Sequence, residues 1–368
     1  MKTIRRLLYG EVLSAVAFVA LGFLSLFFFF DFVDEVRSIG RYAGVDYQLV
    51  HAVTYVALML PSHLYELLPI AVLIGTIIVM ARLAQSSEYT ILRTSGLGPW
   101  RALRTLLWLG VGFVVLTFAI GDYVSPQAER AGQLLKARFQ GRITVGQTGA
   151  WLKEKQPYSQ FSVNVREMAP DGSMRGIRIF EFDNQGFLRS VVQAQSAAHE
   201  GDDAWTLQQV QRTEFPDRKA DTASIERASL NSLRWPNQIS GEMVSAALLK
   251  PDRMSTLDLF QYIRHLNANE QSAQRYEIEF WRKVFYPLSC LVMVVLALPF
   301  AYLHFRSGGI ATYVFGGVMA GISFFLLNNV FGYIGNLQNW QPWFAAAIPG
   351  MIYSALSLAA FGWLVLRR

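Results

Sequence analysis

Four kinds of residue pattern are missing from this 368-residue chain, and each absence removes a class of function. It has one cysteine, Cys290, so no disulfide can form within it, and its redox compartment cannot be read from cysteine usage. The dipeptide Gly-Lys does not occur, so there is no Walker sequence and no ATP hydrolysis by that route. The five histidines, His51, His63, His199, His265 and His304, are scattered with no HExxH or paired-ligand spacing, which speaks against a metal site. No G-x-S-x-G elbow is present, so the sequence offers no catalytic residues of that kind. Charge is sparse as well, at 16% of residues. The net +6 is thinly spread with no dense basic block, which does not suit nucleic-acid binding.

What is present is hydrophobic: 52% of the residues, too many for an ordinary soluble protein of this size. Crossing the hydrocarbon takes about 20 apolar residues. Six runs qualify: 12–32, 64–83, 103–124, 284–303, 310–334 and 344–366. The second has an apolar lead-in from His51 to Leu60. The first ends in FFFFDFVDE with no small-residue cleavage site, so it reads as a retained anchor. Pro61, Pro69, Pro287, Pro299 and Pro349 predict kinks. The expected fold class is a six-span α-helical membrane protein with an inserted all-β domain. Its divisions are 1–124 (spans one to three), 125–282 (the insert with flanking helices) and 283–368 (spans four to six).

Orientation follows from basic residues in the short loops. One set of ends carries Lys2, Arg5, Arg6, Arg82, Arg93, Arg101, Arg104, Arg306, Arg367 and Arg368, against Arg37 and Arg41 on the other. Ten against two puts both termini in the cytoplasm and the insert outside. The insert is polar and turn-rich, with alternating segments around Phe161–Val165, Ile177–Ile179, Trp205–Val210 and Ile225–Trp235. Six to eight strands are expected, enough for a small antiparallel sandwich or jelly roll with edges open to another β domain. A helix over Pro126–Gln140 leads in. Another over Ser255–Glu279 leads out, with Ser255 and Asp258 spaced as a capping box.

Arg82–Arg104 is a polar turnaround between the second and third runs. Ser86 or Ser87 can cap a short helix, Glu88 suits its first turn, Ile91 and Leu92 give it an apolar side, and Gly96 can end it. A two-turn helix is barely stable alone, so it needs a surface to lie against. It is either a tight interfacial turn or a knob for a partner. Within the spans, Asn328 and Asn329 suit interhelical hydrogen bonds better than a substrate contact, and Gly317 with Gly321 forms a close-packing pair. Arg130, Lys136, Arg138 and Arg142 follow the third span and suit lipid phosphates or an ordinary charged interfacial helix. Carboxylates at mid-span, as a proton-coupled transporter needs, are missing.

The chain resembles the LptF/LptG family of lipopolysaccharide export permeases along its whole length. The resemblance is carried by LLPIAVLIGTIIVMARLAQSSEYTILRTSG (Leu67–Gly96), IGDYVSPQAE (Ile120–Glu129) and FWRKVFYPLS (Phe280–Ser289). FVDEVRSIG (Phe32–Gly40) and the FGWLVLRR ending look closer to the G-type subunit than to the F-type. The resemblance implies a non-catalytic permease subunit of an ABC transporter in the bacterial inner membrane. It would pair with an F-type sibling on a cytoplasmic ATPase dimer, joined by a single-span partner with a periplasmic jelly roll. No cofactor would bind directly; ATP and magnesium belong to the ATPase. Lipopolysaccharide would pass from the membrane lipids through the periplasmic β domain to a bridge toward the outer membrane.

The same resemblance implies site residues. The coupling helix, about 87–96, would meet the ATPase through Ser87, Glu88, Leu92 and Arg93. Lateral gates at the first and fifth spans point to Phe27, Phe30, Gly317, Gly321 and Asn328. Lipopolysaccharide phosphates would meet Arg37, Arg41, Arg130 and Lys136. Two positions depart from the family pattern. Asp31 stands where a lysine is expected, so Arg37 or Arg41 would substitute, and Gln133 replaces a basic residue. The competing reading is a membrane-anchored periplasmic scaffold, which has no need of six kinked spans.

Overall fold

The computed structural model describes residues 2–39, 47–86, 88–94, 96, 98–140, 149–169, 172–199, 204–216, 224–237, 239, 244, 251–302 and 310–366. They fall into two compact units. One comprises Met1–Arg37, Val56–Glu129 and Gln274–Arg368; the other comprises Ser38–Tyr55 and Arg130–Ala273.

The first unit is a helix bundle. Its helices are α1 (Lys2–Ile39), α2 (Leu49–Gln85), α3 (Glu88–Thr94), α4 (Pro99–Ala119), α7 (Gln274–Phe285), α8 (Ser289–Ala297), α9 (Ile310–Leu337) and α10 (Pro342–Leu366). A π-helical turn, Ile120–Val124, joins α4 to α5 (Ser125–Gln140). Among the described residues, six helical stretches are long and apolar enough to cross a membrane. The second span begins at Leu49, well before the apolar run that marks it, so its lead-in is helical. Pro61 and Pro69 lie inside α2 and Pro349 inside α10. The fourth span is broken twice. Tyr286–Leu288 and Leu298–Tyr302 are 3-10 turns at Pro287 and Pro299, where proline lacks the amide an α-helix needs.

The second span is the centre of this bundle: 78% of its most apolar stretch is buried, against 17% of the first. Small residues let other helices reach it. A Cβ at Gly75 would lie 2.7–2.8 Å from Val16 backbone atoms of α1. Gly317 and Gly321 of α9 leave room for Ile77 and Ile70, whose side chains stand 2.6 and 2.7 Å from where a Cβ would sit. Leu68, Val72, Leu73, Ile77 and Met80 form the core with Leu106, Phe113, Met293, Leu298 and Phe324.

The second unit is built on one antiparallel sheet of six strands in consecutive order. They are β1 (Ala150–Lys155), β2 (Gln160–Met168), β3 (Met174–Phe182), β4 (Leu188–His199), β5 (Ala204–Glu214) and β6 (Glu226–Pro236). Asp183 organises the β3–β4 turn, its carboxylate accepting from the amides of Gln185 and Phe187. The six described strands make a meander. Helix α6 (Thr256–Ala268) carries the expected capping box of Ser255 and Asp258. The lead-out expected over Ser255–Glu279 is two helices, not one. Glu270 takes a positive φ of 54° after Asn269, which ends α6, and α7 restarts at Gln274.

Four strands share one irregularity at the same level. Strict alternation places inward residues two apart. Here the inward residues step by three, from Val165 to Met168, Met174 to Ile177, Ala194 to Ala197 and Leu207 to Val210. The register aligns these steps: Val165, Ile177, Ala194 and Val210 are neighbours across the sheet, as are Met168, Met174, Ala197 and Leu207. Two polar or glycine residues fill each step. Gly176 (φ 65°) and Gln209 (φ 52°) turn the pleat over in the left-handed region. The result is a crease across the sheet, a row of bulge-like turns in register.

Candidate functional site

Helix α3 is anchored on one side and open on the other. Tyr89 is buried, and its ring meets that of Tyr302 edge-on at 4.9 Å. Leu92 is half-buried against the core. Glu88, Ile91 and Thr94 point outward, Ile91 with 63% of its surface open. Gly96 ends the helix with φ 100°, and Arg101 donates to its carbonyl at 3.1 Å. Gly98 and Pro99 then start α4. The open apolar side chain of this helix is therefore Ile91, with Leu92 serving as anchor. Arg93 lies on the α3 backbone; Ser87 lies outside the described residues.

The insert-side ends of α1 and α2 are joined by a pair that sequence reasoning missed. Asp31, the position of reversed charge, accepts from Nε2 of His63 at 2.6 Å. The Phe27 ring lies 4.8 Å from the same imidazole. Phe30 is exposed. Arg37 pairs with Asp34 at 3.5 Å, both side chains largely open, an arrangement worth little in water. Arg41 and Arg142 lie outside the described residues.

On α9, Gly317 and Gly321 face α2 of the same chain. Buried Asn328 donates to the Phe324 carbonyl of its own helix at 3.0 Å, which satisfies it locally. Asn329 instead accepts from Arg282 at 3.2 Å. The open face of α9 carries Phe315, Met319, Ile322, Leu326, Val330 and Tyr333 at heptad-like spacing.

In the second unit Arg130 is ion-paired with Asp258 of the α6 capping box. Lys136 stands 4.4 Å over the ring of Tyr55, a cation–π contact. Phe139 packs on His51 and Tyr47. Gln133 is half-buried on the same helix. Tyr55 and His63 could not have been found by spacing, because their partners are 81 and 32 residues away. Among the described residues no three His, Cys, Asp or Glu side chains gather as metal ligands.

Six membrane-length helices with a six-stranded β insert between the third and fourth define a multi-pass membrane protein with an inserted β domain. The family profile for the lipopolysaccharide export system permease LptF/LptG matches residues 6–366, and the chain belongs to that family. It is similar to the lipopolysaccharide export system permease protein LptG of Escherichia coli K12, at 28% identity over 340 residues, 92% of this chain and 90% of that protein. LptG of Haemophilus influenzae Rd is 28% identical over 370 residues, covering 100% of this chain and 99% of its own.

Proposed function

We propose that this chain is the G-type permease subunit of an ABC transporter in the bacterial inner membrane, with both termini and α3 cytoplasmic and residues 125–282 periplasmic. It extracts lipopolysaccharide and passes it along its β domain toward the outer membrane. The F-type sibling, a cytoplasmic ATPase dimer carrying ATP and magnesium, and a single-span jelly-roll partner complete the assembly. The observation that carries this reading is α3. A seven-residue helix between two spans, held by Tyr89 and Leu92, leaves Glu88 and Ile91 exposed among the described residues. That arrangement suits a groove on an ATPase.

The mechanism is a population shift. Closure of the ATPase dimer moves α3, the spans narrow their shared cavity, and the lipid is driven toward the β domain. Exposing acyl chains to water costs about 0.8 kcal/mol per CH₂, so a lipid with several chains needs an apolar surface to receive it. The inward rows of the sheet, Val163, Val165, Ile177, Ile179, Val192 and Val210, supply one. Lys136, held over the ring of Tyr55, is a cation suited to a phosphate. The gate with the sibling would use Phe27 and Phe30 on α1 and the open face of α9, while Gly317, Gly321 and Asn328 hold α9 in place.

The test is co-purification of the tagged chain with its genomic neighbours, followed by ATPase assays in lipid discs with and without lipopolysaccharide. A Walker-bearing subunit in the complex and turnover altered by lipopolysaccharide support the reading. Purification of the chain alone would favour the scaffold.

A further inference from the structure

The fourth span touches α3 at one end and α9 at the other. At its terminus-side end, Tyr302 packs edge-on against Tyr89 at 4.9 Å, with both rings buried. Tyr89 lies on the face of α3 opposite Glu88 and Ile91, so a displacement of the open face reaches Tyr302 directly. At its insert-side end, Arg282 divides its planar fork between two partners. Nη1 donates to Glu279 one turn back at 2.7 Å, which orients the guanidinium, and Nη2 donates to Asn329 of α9 at 3.2 Å. Gly332, one turn further along α9, leaves room for that guanidinium, 3.7 Å from where a Cβ would sit. The next residue, Lys283, donates to the carbonyl of Gly121 in the π turn at 3.0 Å. Consecutive cations thus tie two neighbouring spans to one turn of the fourth.

We infer that the fourth span carries the movement of α3 to α9, with Tyr302 and Arg282 as the positioning residues at its two ends. This rests on the transporter reading above. Helix α8 is suited to move as a body: most of its residues are buried, and Leu291 fits against Gly110 of α4. The 3-10 turns at Pro287 and Pro299 separate it from its two contact ends and are the places where a span can bend. Helix α9 is pinned to α2 where Gly317 and Gly321 meet Ile77 and Ile70. A pull on Asn329, about two turns beyond Gly321, rocks the insert-side half of α9 about that contact. The open stripe that includes Leu326, Val330 and Tyr333 lies on the half that moves. Both ends bias one two-state element.

The experiment uses the full complex in lipid discs, with spin labels at Val330→Cys on α9 and Val115→Cys on α4, both exposed. Label distances are measured without nucleotide and with ATP trapped by vanadate, and lipopolysaccharide release to an acceptor is measured in parallel. The unsubstituted complex changes its label distance on trapping. Arg282→Gln and Tyr302→Ala each abolish that change and lower release about tenfold, while ATP hydrolysis stays within about twofold. The double variant is no worse than either single one, because both cut the same element. Tyr302→Phe and Asn329→Asp, which keep the ring and the acceptor, keep the distance change. A purely structural role would instead lower thermal stability and ATP hydrolysis together. If the parent complex exports and both variants shift and release like it, the inference falls and the transporter reading stands. If the parent complex holds no ATPase, both fall.

Discussion

Asp31 and His63 stand 2.6 Å apart, carboxylate to Nε2, and join α1 to α2 at their insert-side ends. The resemblance to the family implies a lysine where Asp31 lies. Here the position is occupied by half of a helix-to-helix tie. Asp31→Asn and His63→Gln should each lower the melting temperature of the purified complex, and the double variant should cost less than their sum. The coupling energy in that cycle should be about 0.5–1 kcal/mol, the low end for ion pairs, because both side chains are partly open. Asp31→Lys should place a cation against the imidazole and destabilise the chain without gaining lipopolysaccharide affinity.

Glycines that meet α2 should rank by what their missing Cβ would strike. Gly75→Ala meets the Val16 backbone, which cannot move aside; Gly321→Ala meets the branched Cγ2 of Ile70; Gly317→Ala meets only the tip of Ile77. Overpacking costs about 1–3 kcal/mol, so Gly75→Ala should sit at the top of that range and Gly317→Ala at or below the bottom. Thermal unfolding of the three variants checks the order, and Ile70→Ala should relieve Gly321→Ala.

The crease in the sheet makes a prediction of opposite sign at two positions. Gln209 holds φ 52° with a side chain that disfavours it, so Gln209→Gly should be neutral or stabilise by up to about 1 kcal/mol. Gly176 holds φ 65° with the Arg166 side chain 3.0 Å from its missing Cβ, so Gly176→Ala should destabilise by about 1 kcal/mol or more. Equilibrium unfolding of the two variants separates these outcomes.

Acid should weaken the β unit through two groups near the end of α6. Burial holds the pKa of His265 below its ordinary 6.5. A lowered histidine contributes stability that is complete above 6.5 and fades as pH falls from 6.5 toward the folded value, because the unfolded chain takes up the proton first. Glu270 is held below its ordinary 4.5, chiefly by the hydrogen bond from Lys155 at 2.7 Å, so its smaller contribution is complete above 4.5 and fades below it. His265→Gln should flatten the decline that begins near 6.5, and Glu270→Gln only the part below 4.5, as read by thermal melts across pH.

Hydropathy and turn residues made the six spans and the inserted sheet legible, because both depend on local composition. The short helix after Gln85 was legible too, from Glu88, Gly96 and Pro99. The break at Glu270 was not: an αL stop at a glutamate carries no glycine signal, and the run Ser255–Glu279 reads as one helix. The crease was present in the sequence without being recognised. Val-Arg-Glu-Met, Met-Arg-Gly-Ile, Ala-Gln-Ser-Ala and Leu-Gln-Gln-Val are one pattern four times over, an apolar pair enclosing two residues that do not face inward. Pairs such as Asp31–His63, Lys136–Tyr55 and Arg282–Asn329 depend on which helices become neighbours. Single-chain periodicity holds no information on that.

The coupling proposed for α3 acts through its open face, where Glu88 and Ile91 lie. The most direct measurement is lipopolysaccharide handed to an acceptor per ATP hydrolysed, in lipid discs, for the parent complex and for Glu88→Ala. The account predicts ATP-dependent transfer that falls about tenfold in Glu88→Ala, with the ATPase still bound and the melting temperature unchanged. Transfer by Glu88→Ala at the parent level would contradict it.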